Sequence, residues 1–481
     1  MQTVHLAILV GYLVVMVVAG AYFARSSRVR TGDDFMFAGR RLPRPVLIGT
    51  LLATWVGSGT IVGGANFAYT YGPWAALVFF AGTPAGIIVL YFAAAKVRAA
   101  SRYTVPELLE VRFGVGVRMV GAVAILLAYV GITAYQFTGG GYIVSLVTPL
   151  SELQATILVT VVVTFLAVSG GLFSVAWTDF MSALLIVFSL LVSVPLVLSA
   201  VVGGYLSQLP AASQTVSGGL DAMQLLGYFL PLFLLILADQ NMYQRLTAAR
   251  DEGAARSSTI GFFFGAFVVV IPVAILGSAA TVLLPNLENP DTAVLSLASE
   301  GVLPTVVGGL LLAGALAFIV TTATSFMLSV AGNMLYDFYV RHTSRDVSET
   351  SRLKLLRLAV LAVAALAFAL GQFFPTVLEL QIHSYTIYGV AITPAVLAVL
   401  FWPRVTTAGA LASMIVGTAA VLVWEFALGK PNEWNSVIVA LPLSVLALVV
   451  GSLLTKPRAT DAALPAAAAT GAGGRQPGGV E

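Results

Sequence analysis

The amino-acid sequence predicts an all-α polytopic membrane protein of thirteen transmembrane helices built around a five-plus-five inverted repeat, and three observations carry that expectation. The first is composition: 481 residues, 59% hydrophobic, 9% charged and a mean hydropathy of +0.97 are too apolar and too charge-poor for a water-soluble globule. The second is the recurrence of apolar runs of about 20 residues, the length that crosses roughly 30 Å of hydrocarbon. The third is that two spans lying five apart in the order are interrupted by glycine, proline or polar residues.

Taken in order, the runs lie near 5–24, 45–71, 74–97, 117–148, 153–170, 174–201, 223–243, 257–284, 304–337, 354–373, 377–402, 405–428 and 434–455. The first is expected to stay as a helix and not to be a cleavable signal, since its leading MQTVH lacks a basic region and no small-residue cleavage site precedes the arginines that follow. Lys and Arg concentrate on the cytoplasmic side of membrane proteins. The loops after spans 1, 3, 7, 9 and 11 and the span ends that flank them, with the C-terminal tail, hold 23 of the 24 basic residues, and only Lys430 falls on the other face. The N-terminus is therefore expected outside and the C-terminus inside. The loop 285–303, with Glu288, Asp291 and Glu300 and no basic residue, agrees with that orientation.

This topology accounts for the net charge of +3 and the pI near 9 without nucleic acid as a partner. The absence of cysteine excludes disulfides and thiol chemistry, and His5, His342 and His383 are too scattered for a metal centre. No protein partner is called for, and enzyme activity has no supporting residues. The domain organisation is one transmembrane unit, 1–455, with an extra first helix at 5–24, a first repeat at 45–201, a second at 223–402 and two added helices at 405–455. The Ala/Gly/Pro-rich tail, 456–481, cannot bury a core and is expected to be disordered.

Span 2, PVLIGTLLATWVGSGTIVGGANFAYTYG, carries Gly57, Gly59, Gly63 and Gly64 near its middle. Unwound backbone at that depth survives where it lines a cavity, and close glycine packing in a continuous helix is the other reading. Span 7 with the two residues after it, MQLLGYFLPLFLLILADQNMYQR, is expected to be interrupted at Gly227 and Pro231 before it turns polar at Asp239 and Gln240. Broken segments at corresponding places point to a secondary transporter with its site at the repeat interface, and a repeat of five spans sets the halves in opposite orientations. The GSGTIVGG string lacks the Gly-Lys-Ser/Thr ending of a nucleotide-binding loop.

Span 9 contains VTTATSFMLS, in which Thr321, Thr322, Thr324 and Ser325 fall within an arc of about 160° at the helical period. Such hydroxyls either face a shared cavity or bond back to carbonyls one turn earlier. Asp179 opens span 6, and apart from Lys96, Arg118, Lys354 and Arg357 at span ends no Lys or Arg lies within a span as drawn to pair with it, so a cation is its expected partner. Hydroxyls and freed carbonyls with at most one carboxylate suit Na⁺ better than Ca²⁺, while a proton carried on Asp179 is the alternative.

The order FMFAGRRLP, LLATWVGSGTIVGGANFAYTYG, GGLFSVAWTDF, ADQNMYQRLTAARDE and AFIVTTATSFMLSVAGNMLYDFY resembles the sodium:solute symporter family over roughly 5–455. The resemblance implies the inverted-repeat fold of the bacterial leucine transporter type and a sodium site. That site would comprise the carbonyls of Ala53 and Val56 in span 2 and Phe318, Thr321 and Thr322 in span 9. It also implies a second sodium, or an ion exit route, at Asp179, Thr324 and Ser325, with Thr321 shared. Solute-facing residues would include Gly57, Ser58 and Thr60 of span 2 and Gln136 of span 4, although helix packing also accounts for Gln136. Thr60 and the aliphatic Leu234, Leu235 and Ile236 depart from the pattern of sugar-transporting members, and ATWVG is closer to members that handle choline-like or other small organic solutes.

The expected activity is sodium-coupled symport of a small polar organic solute into the cell by alternating access, with Na⁺ as coupling ion, no cofactor and the lipid bilayer as surroundings. Proton-coupled symport is one alternative, and a solute-sensing membrane module without transport is another.

Overall fold

A computed structural model of the chain describes residues 2–23, 38–40, 42–100, 102, 104–169, 172–340 and 349–456. Residues 35–37 and 41 of the FMFAGRRLP motif, His342 and residues 457–481 of the tail expected to be disordered lie outside the described residues. Among the described residues the regular structure is helical apart from one isolated parallel bridge, Leu42 to Ala249.

The chain begins with α1 (Gln2–Phe23) and then α2 (Arg44–Trp55), which a five-residue π-helical turn, Gly59–Gly63, connects to α3 (Gly64–Tyr71). There follow α4 (Pro73–Ala100), the short α5 (Val105–Phe113), α6 (Val115–Val147), α7 (Glu152–Ser169) and α8 (Leu172–Ala200). The second half runs through α9 (Ala222–Ala238), α10 (Gln240–Thr247), α11 (Glu252–Leu283), α12 (Ala293–Ser299) and α13 (Thr305–Asn333). It ends with α14 (Glu349–Gly371), α15 (Val377–Ala391), α16 (Thr393–Phe401), α17 (Thr407–Leu422) and α18 (Val437–Leu454).

Eleven helices among the described residues are long and apolar enough to cross a membrane, and the bent pair α2–α3 makes a twelfth, against the thirteen expected. The shortfall is the span expected at 153–170. Its apolar stretch, Glu152–Val168, is only about 26 Å long at 1.5 Å per residue. Large apolar side chains such as Phe165, Phe188, Phe264, Leu361 and Leu453 stand exposed around the bundle. That surface suits hydrocarbon, and the chain is a multi-pass membrane protein.

Helix α13 runs through the middle of the bundle, with every residue of 311–327 buried. It is flanked by α6 and α8 and meets the bend of α2–α3. That bend is 59° and begins at Val56, whose φ of −79° and ψ of 112° leave the α-region. The glycines of span 2 serve close approach at the bend. A Cβ at Gly57 would stand 2.6 Å from Gln136 Nε2, and one at Gly63 2.6 Å from Gln381 Oε1. Nearer the start of α2, a Cβ on Gly49 would meet the Phe180 ring at 2.5 Å, so α2 lies tight against α8 and brings Thr50 to Asp179.

The second interruption is not where Gly227 and Pro231 led us to expect it. Helix α9 continues through Pro231, and the residue four back, which the proline ring would crowd, is Gly227. The chain leaves the helix at Asp239 (φ −59°, ψ 124°), and α10 restarts at Gln240 with the Asp239 carboxylate accepting from Met242 N–H at 2.8 Å. Tyrosines satisfy the groups released there. Tyr388 donates to Ala238 O at 2.7 Å, Tyr243 to Leu237 O at 2.6 Å and Tyr129 to Asp239 Oδ2 at 2.9 Å. Tyr129 also accepts from Gln240 N–H at 2.8 Å.

Candidate functional site

The break in span 2 turns two carbonyls off the helix axis and toward α13. Thr322 Oγ1 donates to Ala53 O at 3.0 Å and Val56 O at 3.2 Å, while its neighbour Thr321 donates to Phe318 O at 3.2 Å. All five residues are buried. The sequence-predicted sodium set is thus brought together on two elements, with the Thr322 hydroxyl joining both carbonyls of the break. Its proton is shared between two acceptors and its lone pairs remain available. These oxygens are neutral, hard donors, the chemistry that suits a monovalent cation and lacks the carboxylates a divalent one favours. Among the described residues no group of three or more His, Cys, Asp or Glu could hold a metal ion.

The other hydroxyls of the cluster behave differently. Thr324 donates back to Val320 O at 2.8 Å and Ser325 back to Thr321 O at 2.9 Å, the local bonding that keeps a hydroxyl satisfied inside an apolar helix. Ser325 also accepts from Arg245 Nη2 at 3.0 Å.

Asp179 corrects the expectation that it lacks a basic partner. Its Oδ2 lies 3.2 Å from Arg245 Nη2 and accepts from Thr50 Oγ1 at 2.6 Å, and both members of the ion pair are 1% exposed. Arg245 Nε bonds Thr50 Oγ1 at 3.0 Å and Nη1 bonds Asn241 O at 3.3 Å. The sequence reading misses Arg245 because a span 7 that ends at 243 leaves the arginine among the loop charges. After the kink at Asp239, α10 stays buried along its whole length and carries the guanidinium inward.

The residues expected to face solute gather at the same break. Gln136 Oε1 accepts from Ser58 N–H at 2.8 Å, Ser58 Oγ lies 3.4 Å from Gln136 O, and Thr60 Oγ1 is 3.4 Å from Trp55 O. Gln136 therefore takes up a backbone donor that the break exposes. Gly57 forms its floor.

The two ends of the bundle differ. At the end bearing Tyr71, a cavity of about 260 Å³ is lined by Asn66, Gln224, Tyr228, Glu379, His383 and Lys430 among others. Beside it the buried Asp291 accepts from Asn66 Nδ2 at 2.8 Å and Val377 N–H at 2.7 Å. At the opposite end Arg118 bonds Asp337 at 2.7 Å and pairs with Glu110, and Thr104 donates to Asp337 at 3.2 Å. Nearby, Gln240 bridges Asn333 at 2.9 Å and Val105 N–H at 3.0 Å. That end is closed.

A bundle with a helix broken midway along its length against a hydroxyl-bearing helix, open at one end and latched at the other, has the architecture of a secondary transporter. The comparisons give the family. Residues 35–417 match the model of the sodium:solute symporter family, and the chain belongs to it. It is a transporter and not an enzyme. It is 27% identical over 377 residues to the "High-affinity proline transporter PutP" of Bacillus subtilis, a match covering 75% of this chain and 78% of that protein. It is 26% identical to the "Osmoregulated proline transporter OpuE" of the same organism, covering 92% and 94%. The structure of a Na⁺-coupled sialic acid symporter in a substrate-bound outward-open state superposes with a TM-score of 0.80 at 19% identity, covering 94% of this chain and 98% of that one. The fold is accordingly of the leucine-transporter type.

Proposed function

We propose that this protein carries a small polar organic solute into the cell with Na⁺, and that the ion binds at Ala53 O, Val56 O, Phe318 O, Thr321 and Thr322. The observation that carries this reading is the Thr322 hydroxyl standing between Ala53 O and Val56 O. A cation there takes the place of the hydroxyl's hydrogen bond to the two carbonyls, the Thr322 O–H keeping its proton and turning aside to present a lone pair, and ties the broken helix to α13. Solute binds beside the break, at Gly57, Ser58 and Thr60, with Gln136 holding the unwound backbone open. The relatives named for proline make an amino acid or a related zwitterion the first solute to test.

In this reading the eleven long helices, the bent pair and the shorter α7 make thirteen spans, with repeats at 45–201 and 223–402. The protein lies in the inner membrane of a bacterium, with the N-terminus outside and the C-terminus cytoplasmic. The cavity near Tyr71 is then the outer entrance, and the Arg118–Asp337 latch is the closed inner gate. Na⁺ favours the state in which α13 and the break are joined. Inward opening separates them and weakens the ion site. The Asp179–Arg245 pair supports sodium over proton coupling, because it engages the carboxylate on which proton carriage would depend.

At about 100 mV one Na⁺ contributes roughly 2.3 kcal/mol, and a tenfold gradient adds about 1.4 kcal/mol. Together they support about 500-fold accumulation of a neutral solute. The test is uptake of labelled L-proline, and of a panel of other amino acids and betaines, into liposomes containing the purified protein. Accumulation under an imposed Na⁺ gradient, absent under a matched K⁺ gradient, is the expected result. Accumulation driven by a proton gradient without Na⁺ would overturn it.

A further inference from the structure

Beside the proposed sodium site lies the set Asp179, Thr321, Thr324 and Ser325, which the family resemblance offers as a second ion site. The residues present do not fit a second ion. Arg245 already stands there as a cation, reaching Asp179 Oδ2, Ser325 Oγ and Thr50 Oγ1 with three bonds of 3.0–3.2 Å. The Thr324 hydroxyl is turned back to Val320 O. One acceptor of Asp179 remains, its buried Oδ1, and Thr321 faces the carboxylate. One carboxylate oxygen and one hydroxyl shared with the first site do not make the shell of several oxygens that a dehydrated cation needs. The charges agree: Asp179 and Arg245 cancel, and a further Na⁺ would leave a net positive charge buried beside a guanidinium. Asp239 is the other buried carboxylate facing Arg245, and it is committed to Tyr129 and to the start of α10.

We propose that Arg245 is a built-in counter-cation that takes the place of a second sodium, so that this chain binds one Na⁺ per cycle and not two. This rests on the sodium reading above and sets its stoichiometry. One ion limits accumulation of a neutral solute to the roughly 500-fold already derived, whereas two would square that limit. It also gives Arg245 a particular role. Removing its charge leaves Asp179, Thr50 and Ser325 as a vacant anionic cluster next to Thr321, able to take a cation from solution.

The test is equilibrium binding of ²²Na⁺ to the detergent-purified full-length protein at constant ionic strength, counted per chain. Wild type is expected to bind one Na⁺, Arg245→Lys one, and Arg245→Gln two. Two ions per wild-type chain would overturn the proposal while leaving the first site standing. None would overturn the first site and this inference with it. The wild-type count decides the matter even if Arg245→Gln fails to fold. If the glutamine variant folds and still binds one, Arg245 is not what excludes the second ion, and the proposal fails.

Discussion

Replacing Gln136 with leucine separates two roles for this side chain, since a solute ligand and a support for the broken helix give different results. Gln136 Oε1 accepts the Ser58 N–H at 2.8 Å inside a fully buried bend. Leucine keeps roughly the same shape but removes the acceptor. An orphaned buried N–H costs about 1–3 kcal/mol, which corresponds to about 5- to 150-fold in an equilibrium at 1.4 kcal/mol per factor of ten. The cost falls on the state in which the chain is unwound after Val56, and that is the state whose Ala53 and Val56 carbonyls face Thr322. Apparent ion affinity falls by the fraction of molecules that lose this state. Gln136→Leu is therefore expected to lower the melting temperature without Na⁺ and to raise the half-maximal Na⁺ concentration of the thermal shift within that range. An unchanged Na⁺ response with solute binding alone lost would refute the reasoning and make Gln136 a solute ligand.

Three other outcomes follow from the same geometry. Thr322→Ala removes the hydroxyl that joins both carbonyls and should raise the Na⁺ concentration for half-maximal uptake about 10- to 150-fold, taking about 1.5–3 kcal/mol for a bond to a charged group, while Thr322→Ser should change it far less. Asp291 lies outside the spans, and burial raises its carboxyl above the ordinary 3.8, against the hydrogen bonds from Asn66 and Val377. Because the folded state holds this proton more tightly, the contribution is fullest below 3.8 and is lost as pH rises through the raised value. Thermal melts of wild type should thus show a stabilising component on mild acidification that Asp291→Asn lacks. Finally, Arg118→Gln should release the latch at Asp337 and favour inward opening. A cysteine placed at Thr247, which lines the small cleft at that end, should then react with a maleimide about tenfold faster if the latch holds about 1.4 kcal/mol. The native chain has no cysteine to confuse the reading.

The parts of the fold legible in the sequence were those written in long runs or dense clusters. Apolar segments announced the helices, except that α7 is too short to count as a span by length alone. The four glycines of span 2 marked a real break, and each sits where another side chain approaches within reach of a Cβ. Four hydroxyls in five positions pointed to α13, but only Thr322 bonds across to the break, because helix rotation turns Thr324 and Ser325 toward their own backbone carbonyls. Misreadings arose where tertiary context overrode local signals. Pro231 is accommodated inside α9, whereas the actual kink at Asp239 depends on Tyr129, Tyr243 and Tyr388 arriving from distant or following segments. Arg245 looked like a loop charge since nothing local reveals that α10 turns inward to meet Asp179, 66 positions away. The Gln136 role was open for the same reason, as its partner Ser58 lies 78 positions earlier.

Sodium binding at the junction of the broken helix and α13 is the claim on which the account depends, and it can be tested without knowing the solute. The measurement is the melting temperature of the purified protein against NaCl, with KCl keeping ionic strength constant and Thr322→Ala run alongside. A ligand that binds only the folded state stabilises it, by about 2.7 kcal/mol at one hundred times its dissociation constant. A rise specific to Na⁺ and lost in Thr322→Ala is the predicted result. An identical melting temperature in NaCl and KCl, or a Na⁺-specific rise undiminished by the substitution, would contradict it.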